Sequence, residues 1–139
     1  MGFKVLTLLP VLMLTYHLAA LVFTSDIQKS YPISLLVYNQ HTKPVNLTFN
    51  TDIAYRGILL GAMRKIQEKN KNFTFTIEDD PNYGPFLVSV NGMAGNPAEH
   101  TYWELLLQMQ NGTMLRPDVG VGCYIPNPFD TAILKFTTW

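Results

Sequence analysis

The 139 residues carry ten basic and ten acidic side chains, a mean hydropathy of +0.09 and one cysteine. The cancelled charge argues against a surface built to hold nucleic acid or an anionic membrane electrostatically, and the lone Cys123 excludes an intrachain disulfide framework and a zinc ribbon. Once the first two dozen residues are set aside, about 115 remain, enough for one hydrophobic core and no second domain.

From Val5 to Ser25 no Lys, Arg, Asp or Glu occurs, and Lys4 precedes a run rich in Leu and Val. Two readings compete. A secretory signal peptide uses a basic start, an apolar middle and small residues at the cut, which Lys4, Leu6 to Leu14 and Ala19-Ala20 or Thr24-Ser25 provide. A retained membrane anchor needs about 20 apolar residues, and Thr7, Pro10, Thr15 and His17 interrupt the run. The interruptions favour cleavage. Residues 1–24 are expected to be a signal peptide, residues 25–139 one domain, and the product secreted, without membrane attachment after cleavage. Asn46-Leu47-Thr48, Asn72-Phe73-Thr74 and Asn111-Gly112-Thr113 match the N-glycosylation acceptor pattern and suit that compartment.

Ile33, Leu35 and Val37 alternate with polar or outward residues up to Asn39, and Val45, Leu47 and Phe49 alternate with Asn46 and Thr48. The polar stretch Gln40 to Pro44 between them predicts a hairpin, since proline cannot sit inside a ladder. Asn50-Thr51-Asp52 supplies helix N-cap candidates. Tyr55, Ile58, Leu59, Ala62, Met63 and Ile66 then recur as one apolar stripe at 3.6 residues per turn, with Arg56, Arg64, Lys65, Glu68 and Lys69 on the other sides. The helix is expected to stop at Asn70-Lys71-Asn72. A strand follows on Phe73, Phe75 and Ile77, a turn over Asp79 to Pro85, and a second strand on Phe86, Val88 and Val90 that ends at Asn91-Gly92. Two more strands are expected at His100 to Met109 and Ala132 to Thr138. The order strand, strand, helix, strand, strand predicts an α+β domain, β-grasp-like: a mainly antiparallel sheet wrapped on one helix, with extra C-terminal strands.

Catalytic patterns are thin. No G-x-S-x-G, H-E-x-x-H or glycine-rich phosphate loop occurs, and beyond residue 24 the only histidines are His41 and His100. A Cys123/His100 nucleophile pair competes with a simpler reading of Cys123 as a small packing residue beside Val121 and Tyr124. Asp79 and Asp80 fit no calcium-loop spacing and read as a solvated turn. No catalytic or metal-ligating residue is assigned. Recognition surfaces are better represented: Tyr83 and Phe86 flank Gly84-Pro85, and Tyr102-Trp103 forms a second aromatic cluster, each alternatively a core element.

Tyr83 to Met93, Thr101-Tyr102-Trp103-Glu104-Leu105-Leu106, Gly120 to Pro126 and Ile133 to Phe136, in this order and spacing, resemble the C-terminal domain of the cobalamin carriers, the family of transcobalamin, intrinsic factor and haptocorrin. The likeness runs from Ser34 to Trp139. It implies a cap that closes over one face of cobalamin while a larger helical barrel holds the other. Carried over by position, the ligand-touching residues would be Asn82, Tyr83, Gly84, Pro85, Phe86 and Leu87, then Trp103, Glu104, Leu105 and Leu106, then Thr113, Met114 and Leu115. Cys123 stands where the family often has an acidic residue.

The resemblance implies a non-catalytic, secreted binder or transporter of cobalamin or a related corrinoid, the corrinoid being cargo and not a catalytic cofactor. A second protein surface, or self-association, would complete the half-site. The competing reading is an extracellular protein-interaction module that kept the fold and lost the ligand.

Overall fold

The computed structural model describes residues 29–139. The signal-peptide expectation falls on residues 1–24, outside the described residues. The elements are β1 (Tyr31–Tyr38), β2 (Asn46–Ile53), α1 (Leu59–Lys69), β3 (Phe75–Asp80), β4 (Gly84–Val90), β5 (Met93–Ala94), a 3-10 turn (Pro97–Glu99), β6 (Thr101–Gln108), β7 (Met114–Leu115) and β8 (Thr131–Thr138). The molecule is a mixed α+β domain with one helix and mainly antiparallel pairing, as the element order predicts.

The expected hairpin is present: β1 and β2 pair antiparallel from Tyr31↔Ile53 to Tyr38↔Asn46. Its alternation does the predicted work, since Ile33, Leu35 and Val37 all turn into the core. β8 then lies parallel to β1 and antiparallel to β6, which gives a five-stranded sheet in the order β2-β1-β8-β6-β7. β3, β4 and β5 form a separate three-stranded sheet. A single wrapped sheet is therefore replaced by two. Strand order along the chain cannot reveal this, because it depends on which free edges meet in space.

The helix begins later than the N-cap candidates suggest. Asn50, Thr51 and Asp52 belong to β2, opposite Ser34, Ile33 and Pro32 of β1, and Tyr55 lies exposed in the turn before the helix. Ile58 takes the N-cap position without a side-chain acceptor. The first helical N–H groups are satisfied by another part of the chain: Leu59 N–H donates to the Tyr124 carbonyl at 2.8 Å and Leu60 N–H to the Val121 carbonyl at 3.0 Å. Leu59, Leu60, Ala62, Met63 and Ile66 form the buried stripe, and Asn70 ends the helix as expected.

Phe73 is fully buried ahead of β3, between Phe49 and Phe75 at ring distances of 5.3 and 5.6 Å. The turn between β3 and β4 is also tighter than its composition suggests, running only from Pro81 to Tyr83. Asp80 extends the strand and holds the turn, accepting from the N–H groups of Asn82 at 2.7 Å and Tyr83 at 2.9 Å. The β4–β5 hairpin turns on Asn91 and Gly92, both with positive φ. Among the described residues, no helix is long and apolar enough to cross a membrane.

Candidate functional site: a cleft between two sheets

β6 is covered on one side by β8 along its whole length, while on the other side β7 pairs only with Leu107 and Gln108. β4 is similarly paired with β3, and β5 reaches only Ser89 and Val90 on its far side. Two partly uncovered strand edges thus meet across a gap. The gap is an open cleft of about 710 Å³. Phe86, Leu87 and Val88 of β4 form one wall, Trp103, Glu104 and Leu105 of β6 the other, and the segment Arg116 to Val121 bounds it.

Small residues let the walls approach. A Cβ on Gly95 would lie 2.8 Å from the Thr101 carbonyl oxygen, which brings the end of β5 against the start of β6. A Cβ on Gly122 would lie 2.9 Å from the Pro85 carbonyl oxygen, so the loop that caps the helix also touches the start of β4.

The lining is largely apolar with one ion pair, between a buried carboxylate and an exposed guanidinium. Glu104 is only 7% exposed and pairs with Arg116, whose side chain is 68% exposed at the cleft. The pair satisfies a carboxylate that would otherwise be costly to bury. Glu78 of β3, exposed, lines the opposite rim. At one end Trp139 packs edge-on against Tyr102 and His100, at 5.7 and 5.3 Å between ring centroids.

Of the residues carried over from the resemblance, Phe86, Leu87, Trp103, Glu104 and Leu105 line this cleft together. Trp103 is mostly core: its indole N–H donates to the Met93 carbonyl at 2.8 Å and its ring packs on Phe136 at 5.2 Å. Only part of that ring faces the cleft. Asn82 and Tyr83 stand at the β3–β4 turn, Tyr83 being 83% exposed, and Gly84 and Pro85 begin β4. Leu106 lies on β6 outside the lining, and Thr113, Met114 and Leu115 cluster at β7, beyond the cleft.

Tyr102, singled out in the sequence with Trp103 as an aromatic cluster, lines the cleft, whereas Arg116, Glu78 and Trp139 escaped the sequence reading. One signal was available for Arg116, the only charged residue between Glu104 and Asp118. Cys123 is exposed, which corrects its reading as a packing residue, and no hydrogen bond joins it to His100. The side chains of Asn46, Asn72 and Asn111 are all solvent-exposed. Among the described residues no group of three His, Cys, Asp or Glu side chains is placed to hold a metal ion.

Fold and cleft together define a small α+β domain with an open, mainly apolar groove between two strand edges. No protein-family model matches the chain. It is 41% identical over 54 residues to transcobalamin-1 of Sus scrofa, a match covering 38% of this chain and 13% of the relative. It is 31% identical over 105 residues to the cobalamin binding intrinsic factor of Mus musculus, covering 73% of this chain and 24% of the relative. The matches span less than a quarter of either relative's length. The crystal structure of haptocorrin in complex with Cbi superposes with a TM-score of 0.68 at 23% identity, over 82% of this chain and 26% of haptocorrin, and shares the fold. The chain is a relative of the C-terminal domain of the cobalamin carriers.

Proposed function

We propose that this protein is a secreted, non-catalytic binder of cobalamin or a related corrinoid, with the cleft between β4 and β6 as its ligand surface. The observation that carries the reading is convergence. Two stretches far apart in sequence, Phe86-Leu87 and Trp103-Glu104-Leu105, each singled out by the family resemblance, line one cleft. Its volume of about 710 Å³ falls in the range of small-molecule sites. A corrin presents apolar ring edges fringed by amides, and the cleft offers apolar side chains with a few polar groups among them.

The cleft is open, so it covers part of such a ligand and leaves the rest to water or to a second protein surface. Affinity of the chain alone is therefore expected to be micromolar or weaker, about 8 kcal/mol at best. A partner surface or self-association around the ligand would tighten it. Titration of the purified protein with cyanocobalamin and with cobinamide, followed by visible absorbance, tests the reading. A saturable spectral shift that Phe86→Asp abolishes while leaving the thermal melt in place is the expected result. No shift with either corrinoid at millimolar concentration would overturn it in favour of the protein-interaction reading.

A further inference from the structure

Among the ionisable side chains that line the cleft, acids outnumber bases: Glu78 and Glu104 face a single cation, Arg116. Glu104 already neutralises that cation. Asp79 and Asp80 follow Glu78 along β3, and Asp118 lies two residues beyond Arg116, so the surroundings add negative charge. The nearest further base by register is Lys135, opposite Glu104 on β8, which neither pairs with Glu104 nor lines the cleft. A guanidinium has five N–H donors, and the only hydrogen bond it makes among the described residues is to Glu104. Its charge is spent while donors remain free.

We propose that Arg116, anchored by Glu104, is a specificity-determining residue that donates hydrogen bonds to neutral amide carbonyls of the ligand, and that the cleft thereby selects fully amidated corrinoids over carboxylate-bearing ones. The inference rests on the corrinoid reading and adds the chemical class the cleft accepts. An amide oxygen takes a hydrogen bond from Arg116 at no electrostatic cost. A carboxylate in the same place meets a cation already neutralised and a second carboxylate, Glu78, across the cleft. The repulsion between like charges penalises the carboxylate and leaves the neutral amide unaffected.

The test is a titration series with cyanocobalamin and each monocarboxylate made from it by hydrolysing a single side-chain propionamide. At least one monocarboxylate is expected to bind the wild-type protein ten or more times more weakly than the parent. Glu104→Gln, which frees the Arg116 charge, should close or invert that gap. Glu78→Gln, at an exposed position on β3, should narrow it without touching the core, and so stands in if Glu104→Gln fails to fold. Arg116→Gln should weaken the parent several-fold and leave the gap in place. Equal affinity of the wild type for the parent and every monocarboxylate would overturn the inference while leaving corrinoid binding intact. No binding of any of them would overturn the corrinoid reading itself, and this inference with it.

Discussion

Single residues show how closely the core is specified. Phe73 touches rings on both sides, Phe49 of β2 and Phe75 of β3, and has no exposed surface. Truncation leaves a cavity between elements that cannot collapse together. Phe73→Ala is expected to cost about 3–5 kcal/mol, measured by urea unfolding, against under about 1 kcal/mol for Tyr83→Ala at the exposed turn. Tyr124 reports on the loop that caps the helix. Its phenol is pushed above the ordinary value of 10.0 by burial, then by the charge of Asp130 and by Tyr31. A raised folded-state pKa means that the unfolded chain loses its proton first. The contribution is fully present below about pH 10 and is lost as pH rises from there through the folded-state pKa. Stability should therefore fall on the alkaline side, and Tyr124→Phe should flatten that fall in melts taken across pH 9 to 11.

At the scale of elements, the helix is held by its buried stripe and by a tertiary cap. Leu59 occupies both, since its side chain is buried and its N–H donates to Tyr124. Leu59→Asp would place an unpaired charge in the core and is expected to abolish cooperative unfolding, whereas Arg64→Ala on the exposed side should cost under about 0.5 kcal/mol. Comparable melts for the two variants would contradict the assignment. The alternation of β1 and the stripe of α1 were legible because both periods are local: side chains two apart on a strand, or three and four apart on a helix, share a face whatever the rest of the chain does. The helix start was not legible. Asn50, Thr51 and Asp52 have good capping side chains, yet pairing with β1 claims their backbone groups, and the loop from Val121 to Tyr124 takes over the cap.

For the whole molecule, we expect a route through the secretory pathway. The uncharged run from Val5 to Ser25 and the exposed side chains of Asn46, Asn72 and Asn111 motivate that expectation. Expression in a secretory cell should release a product lacking its first 20 to 25 residues, with N-glycans that peptide N-glycosidase removes. An intact N-terminus in the membrane fraction would contradict it. The three acceptor sites lie outside the lining of the cleft, so deglycosylation is expected to leave corrinoid titration unchanged.

Composition, periodicity and motif order by themselves determined the α+β class, the element order, most of the core and the kinship with the cobalamin carriers. Each of these depends on residues near one another in the chain or on a pattern preserved along it. Tertiary structure alone decided that the strands divide into two sheets, that Trp103 is mainly core, and that Arg116 crosses to neutralise Glu104 in the cleft. These outcomes turn on which strand edges stay unpaired and which side chains then meet across the gap. Such meetings are set by close packing between distant segments, and no local period records them.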